Sequence, residues 1–144
     1  MLPPEFRKAV RESSENERVL CLQVHPELKC LVAFGLSREA ELDAQLDREE
    51  EIALQRDVPF NRQLRASQLF GFTRIPFDDS GRFVMPTRFI KGANLGEKLF
   101  FQGAGAEFLI FNPDELMQLG DEWAHAKMGC EDCEDQAMAK GRKA

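Results

Sequence analysis

An internal repeat limits what this 144-residue chain can fold into more than any other feature of its sequence. The segment Leu2–Lys8, LPPEFRK, recurs 83 residues later as Met85–Lys91, MPTRFIK. In both copies two short apolar runs follow, separated by a turn region, and then a helix begins. The repeat predicts the order short helix, strand, turn, strand, helix twice over, in two small units that share one core.

The helices around these strands are predicted from their starts and apolar faces. Asn112 is suited to cap a helix, Pro113 to its first turn and Glu115 to the capping-box position, and we expect this helix to end near residue 128. Two amphipathic helices are predicted over about residues 37–56 and 61–70. The inward residues of the first are Leu42, Leu46 and Ala53.

A strand, a tight turn and a second strand are predicted before the second copy, over residues 72–77, 78–81 and 82–85. The Asp78 side chain can accept backbone N–H bonds across the turn, and Gly81 can take the positive φ that a tight hairpin needs. The Arg82 guanidinium can fold back onto Asp78 or project towards a phosphate or a guanine edge. On its own, this turn favours an ordinary hairpin that has a local Asp–Arg ion pair.

The wider pattern resembles a known family of DNA-binding modules. Asp78-x-x-Gly81-Arg82, three apolar residues and Pro86 resemble the fingerprint of the SpoVT-AbrB superfamily. Across residues 1–117 the motif order resembles the MraZ family, which has two such modules in tandem. The further matching motifs are Pro3-x-x-Phe6-Arg7, Arg62-Gln63-Leu64-Arg65 with Leu69-Phe70, and Gly103 followed by Phe108–Pro113.

The resemblance implies an α+β, mainly β, fold: a swapped-hairpin β-barrel of two tandem repeats with flanking helices, in which strands of the two modules interleave. The expected divisions are residues 1–36 for the first repeat, 37–71 for linking helices, 72–117 for the second repeat, 118–128 for the end of the C-terminal helix and 129–144 for an acidic, disordered tail. The first repeat lacks the strand-turn-strand that precedes the second. We therefore expect the native start codon to lie upstream of Met1.

For function, the resemblance implies a sequence-specific regulator of the division and cell-wall gene cluster. It would act as a ring oligomer on repeated promoter sites in double-stranded DNA, in the cytoplasm and on the nucleoid. Arg82 is the expected DNA contact, and Asp78 and Gly81 would shape its turn. Arg74, Arg88 and Lys91 are candidate phosphate contacts because of their charge and their proximity in sequence.

Two alternatives on the same fold stay open. One is an antitoxin-like protein whose acidic C-terminal segment blocks a partner, and the other is a structural ring without operator recognition. The net charge of −6 does not decide between them, because its distribution matters more than its sum. Residues 57–106 carry seven basic and four acidic side chains, whereas residues 107–144 carry four basic and nine acidic ones.

Other sites are less well supported by the sequence. Cys130-x-x-Cys133 provides two thiols where structural zinc needs four ligands, and its acidic neighbours disfavour a reactive thiolate. Cys21 and Cys30 lie in apolar runs as packing residues, and His25 lies at the first hairpin turn. No spacing suggests a catalytic triad or a phosphate loop, and no run reaches the roughly 18 apolar residues of a membrane span. We predict no enzymatic activity, no cofactor, no metal and no small-molecule substrate.

Overall fold

A computed structural model describes the backbone of residues 2–143 and the side chains of residues 2–137. Five antiparallel strands form one sheet in the order β3-β1-β2-β5-β4. The strands are β1 (Val19–Val24), β2 (Cys30–Phe34), β3 (Thr73–Pro76), β4 (Phe100–Ala104) and β5 (Glu107–Phe111). The helices are α1 (Pro4–Ser13), α2 (Leu42–Gln55), α3 (Arg62–Leu69), α4 (Thr87–Gly92), α5 (Pro113–Met117) and α6 (Ala124–Lys143), with 3₁₀ turns at Leu36–Glu41 and Asp121–Trp123. Within the described chain no helix is long and apolar enough to cross a membrane.

The repeat is visible as an approximate two-fold symmetry of the sheet. Strands β2 and β5 pair in the centre, with Val32 opposite Leu109. Each central strand has its hairpin partner outside it, β1 in the first copy and β4 in the second. Strand β3 pairs with β1, but among the described residues no strand pairs with the outer edge of β4.

The two faces of the sheet bury two separate apolar clusters because successive side chains of a strand point to opposite faces. One cluster packs under α1 and α4, and its sheet residues include Leu20, Leu31 and Ile110. The other packs under α5 and α6. Its sheet residues include Cys21 and Cys30, so the prediction that these cysteines are buried packing residues is confirmed.

The predicted class is confirmed as α+β, but the expectation that strands would dominate is wrong. Helices α2 and α6, with 14 and 20 residues, together contain more residues than the five strands. The helices predicted over 37–56 and 61–70 are present, and the inward residues Leu42, Leu46 and Ala53 are buried. Asn61 caps α3 by accepting the N–H of Leu64 at 3.1 Å.

The C-terminal region differs from the prediction. Asn112 does cap α5, but the helix ends at Met117, and the Glu115 carboxylate accepts from Asn94 at 2.7 Å instead of closing a capping box. Residues 129–143 of the tail that was expected to be disordered belong to α6, and residue 144 lies outside the described residues. The physical reason is that Ala126 and Cys130, four residues apart, are both buried against the sheet, so the acidic residues only occupy the outer face of this helix.

Candidate nucleic-acid interface

The turn that follows β3 has the geometry predicted for it. The Asp78 side chain accepts the N–H groups of Ser80 and Arg82 through Oδ1, at 2.9 and 2.8 Å. The backbone closes the same loop, because Asp78 N–H donates to the Arg82 carbonyl at 3.0 Å and Gly81 N–H to the Asp78 carbonyl at 2.9 Å. Gly81 has φ +80°, a left-handed conformation that favours glycine.

Arg82 takes the first of its two predicted conformations. Its Nε donates to Asp78 Oδ2 at 2.9 Å, yet the side chain remains 73% exposed. Its terminal Nη groups have no hydrogen-bond partner among residues 2–137, so they are free to meet an acceptor outside the chain. The backbone N–H of Arg82, followed by its side chain, lowers the pKa of Asp78 below its usual 3.8. The carboxylate that holds the arginine is therefore ionised at neutral pH.

The second predicted strand, residues 82–85, is not a strand in the structure. After the turn the chain runs on without pairing to any described strand, and Val84 is 84% exposed. Strand β3 is an edge strand of the sheet, and residues 82–85 do not pair with its outer edge. An alternating apolar pattern is therefore not sufficient for a strand here.

Residues of the first repeat hold this turn, and no local sequence pattern predicts that contact. Leu2 N–H donates to the Gly81 carbonyl at 2.7 Å. The Arg7 guanidinium donates to the carbonyls of Leu2 at 3.1 Å and Asp79 at 3.4 Å. Arg18 forms an ion pair with the Asp79 carboxylate. The turn of the second copy thus rests on the start of α1 and on the residue before β1.

Gly81 is required at this contact as well as by its φ. A Cβ added there would lie 2.7 Å from Arg7 Nε and 2.8 Å from the Leu2 carbonyl oxygen. Both distances are shorter than van der Waals contact. The close approach between the two copies therefore leaves no room for a larger residue.

The three candidate phosphate contacts do not surround Arg82. Arg74 donates to both oxygens of Glu39 at 2.6 and 2.7 Å, and this hydrogen bond raises the pKa of Arg74. Arg88 donates to Thr73 and lies over the Phe89 ring, 4.7 Å from its centroid. Lys91 is exposed in the last turn of α4.

The position of α4 explains this separation. Gly92 at the end of α4 lies against Val24, the last residue of β1, whereas the turn lies beside Arg18, at the other end of that strand. Arg88 bonds to Thr73 at the start of β3, whereas the turn follows Pro76 at the other end of that strand. Much of the remaining basic charge is also paired, since Arg62 and Arg65 form ion pairs with acidic residues of α2.

The histidine and cysteine sites have structural surroundings. His25 Nδ1 accepts the N–H groups of Glu27 and Leu28, both at 3.0 Å, so this side chain closes the β1–β2 turn. Cys130 is buried, and burial, followed by Glu134 and Cys133, raises the pKa of its thiol to about 11. Cys133 is exposed. In residues 2–137 no three His, Cys, Asp or Glu side chains form a group that could hold a metal ion.

Comparison with known proteins finds relatives that align with most of the chain. The chain is 30% identical over 113 residues to the "Transcriptional regulator MraZ" of Parvibaculum lavamentivorans, an alignment that spans 78% of this chain and 66% of that protein. The chain belongs to the MraZ family. The MraZ protein of Rhodospirillum rubrum, also named a transcriptional regulator, is 28% identical over 120 residues, with 80% of this chain and 71% of that protein aligned. No family model matches the sequence. The match to the MraZ family confirms the resemblance inferred from the motifs.

Proposed function

We propose that this chain is a sequence-specific DNA-binding transcription regulator of the division and cell-wall gene cluster. The printed names of the two aligned MraZ proteins support a role in transcription. The observation that carries the DNA-binding part is the exposed Arg82 side chain, which Asp78 holds at Nε while neither Nη group has a partner among residues 2–137. An arginine fixed in this way is prepared for a bidentate contact with guanine or phosphate, since little rotamer freedom remains to be lost.

The other proposed site residues have distinct roles. Asp78 and Gly81 shape the turn, whereas Arg74, Arg88 and Lys91 are proposed to contact phosphates. Lys91 is exposed and accessible to a duplex. Arg74 would have to exchange Glu39 for a phosphate, and Arg88 would have to leave Thr73. We therefore expect their contributions to be smaller than that of Arg82.

We further propose that the chain assembles into a ring on repeated promoter sites. Linked modules gain affinity through effective concentration, so that a ring needs only weak single contacts and tolerates an acidic surface elsewhere. A swapped-hairpin barrel is part of this proposal. It would place a strand equivalent to β3 on the outer edge of β4, where the described residues leave the N–H and C=O groups unpaired.

The proposal also assigns the protein to the cytoplasm and the nucleoid, without enzymatic activity and without a cofactor. The partners are double-stranded promoter DNA and further copies of the chain. Light scattering after size-exclusion chromatography tests the ring directly. A monomer at micromolar concentration would contradict this part of the proposal.

Binding of Arg82→Ala to promoter DNA tests the site. We expect the affinity for the promoter of the chain's own operon to fall about 10- to 100-fold, the range for loss of one bidentate base contact. Arg48→Ala is the matched control, because Arg48 is an exposed arginine on α2 without an ion pair in the described part of the chain. This control removes the same charge and is expected to bind like the unchanged protein. Fluorescence anisotropy titrations at several salt concentrations provide both measurements.

Each of the two alternative functions predicts a different experimental result. If the unchanged protein forms a ring but binds promoter DNA no better than unrelated DNA, the structural ring is favoured. If a small toxin is encoded next to the gene and binds α6, the antitoxin-like protein is favoured. If Arg82→Ala and Arg48→Ala weaken binding equally, Arg82 is not the specific contact.

A further inference from the structure

We propose that Arg7 of the first repeat is a positioning residue for the Asp78–Arg82 turn of the second repeat, which we call the recognition turn. This inference rests on the proposed DNA-binding function and adds a residue to it. Arg7 lies 75 positions before Arg82 in the sequence, yet its guanidinium touches the turn from which Arg82 projects. We infer that it fixes the direction of Arg82 and does not itself contact DNA.

The hydrogen bonds of Arg7 connect two segments that also bond to each other. One terminal nitrogen donates to the Leu2 carbonyl at 3.1 Å, and the other to the Asp79 carbonyl at 3.4 Å. Leu2 N–H in turn donates to the Gly81 carbonyl at 2.7 Å. The Arg7 guanidinium thus connects the Leu2 and Asp79 carbonyl groups, which lie at the two ends of a small ring of hydrogen bonds. A single ammonium group lacks the planar fork that this role needs.

Arg7 is half-buried, whereas the other cations near it on α1 are exposed. Its Nε is buried without a hydrogen-bond partner among the described residues, and it lies where a Gly81 side chain would otherwise be. By contrast, Lys8 and Arg11 on the same helix are exposed. A phosphate contact needs an accessible donor, and both terminal nitrogens of Arg7 already bond to carbonyl groups of the chain.

The repeat supports the same conclusion. Arg7 occupies the position that Ile90 occupies in the second copy. The turn with Asp78 and Arg82 precedes the second copy, and the residue that braces it is the arginine of the first copy. Isoleucine has no donor that could brace a turn in this way. Arg7 therefore belongs to the first copy, which is the copy that contacts the Asp78–Arg82 turn.

Two variants and one control test the proposal. Arg7→Met keeps the apolar stem but removes all donors, and Arg7→Lys keeps the charge but removes the fork. The control Lys8→Met removes one positive charge from the exposed neighbour. Hydrogen exchange of the amides in residues 77–84, followed by mass spectrometry, measures closure of the turn without DNA. Circular dichroism checks that each variant is folded.

We expect faster exchange in residues 77–84 for Arg7→Met and Arg7→Lys, and no change for Lys8→Met. Promoter affinity is expected to fall about 10-fold or more in both Arg7 variants, because a lost charged hydrogen bond has effects of this size. The dependence of affinity on salt should stay the same, since no phosphate contact is removed.

The opposite pattern would overturn the proposal. If Arg7→Lys binds like the unchanged protein while Arg7→Met loses affinity with a shallower salt dependence, Arg7 is a phosphate contact. If neither variant changes the exchange of residues 77–84, Arg7 does not brace the turn. Failure of the proposed DNA-binding function would give a different result. The unchanged protein and Lys8→Met would then also lack specific binding, while the hydrogen exchange of residues 77–84 in the Arg7 variants would still test whether Arg7 braces the turn.

Discussion

Replacing Ser14 with alanine tests how the end of α1 holds β1, the strand whose first residues lie next to the recognition turn. Ser14 is 1% exposed, and its hydroxyl joins two segments. Oγ donates to the Val19 carbonyl at 3.1 Å and accepts the N–H of Leu36 at 2.9 Å. Val19 faces Pro76 in the ladder, and proline has no N–H to offer in exchange. Alanine would therefore leave one acceptor and one donor unpaired inside the protein.

The expected loss of stability follows from these two groups. A buried polar group without a partner costs about 1–3 kcal/mol. Relaxation at the end of α1 offsets part of that cost, so we expect the free energy of unfolding to fall by about 2–4 kcal/mol. For a chain of this size such a loss lowers the Tm by roughly 6–12 °C.

Urea unfolding followed by circular dichroism measures this loss, and an unchanged m-value would show that the unfolding transition itself is the same. Ser13→Ala is the matched control, because the Ser13 hydroxyl meets Ser37 at an exposed position. We expect that control to change stability by less than about 0.5 kcal/mol. A loss below about 0.5 kcal/mol for Ser14→Ala would refute the reasoning, since it would mean that neither group depends on this hydroxyl.

Three further predictions concern the turn and the thiols. Gly81→Ala should destabilise the fold by about 1–3 kcal/mol more than Gly105→Ala, because both glycines have positive φ but only Gly81 is crowded; urea unfolding of both variants checks this. The Asp78 carboxyl should titrate below pH 3.8 in NMR spectra, so that its contribution to stability is present above that pH and is lost as the pH falls through its lowered pKa; titration at or above 3.8 would contradict the observed hydrogen bonds. A thiol reagent should modify Cys133 alone in the folded protein and all four cysteines in denaturant, because the other three are buried; fast labelling of more than one thiol in the native state would contradict this burial.

Much of the fold was predictable because its signals are local. The two apolar runs of each copy became the paired strands β1–β2 and β4–β5. Asn112 and Pro113 correctly marked a helix start, since capping depends on neighbouring backbone groups. The same local reasoning failed for α6, where charged residues are as numerous as apolar ones. Two small side chains, Ala126 and Cys130, dock that helix on the sheet, and their pattern is weak without knowledge of the surface they meet.

The candidate site likewise has one part that the sequence predicts and one part that it does not. The sequence by itself determined the shape of the Asp78–Arg82 turn, because its hydrogen bonds join residues at most four positions apart and its glycine stands at the position with positive φ. Only the tertiary structure decided what the turn rests on. The pairing of β3 with β1 brings the turn to the first repeat, where Leu2 and Arg7 contact it, and no local pattern records a contact between segments more than 70 residues apart. The tertiary structure also separates Arg88 and Lys91 from the turn, although they are close to it along the chain, because α4 lies at the Val24 end of β1 whereas the turn lies beside Arg18 at the other end.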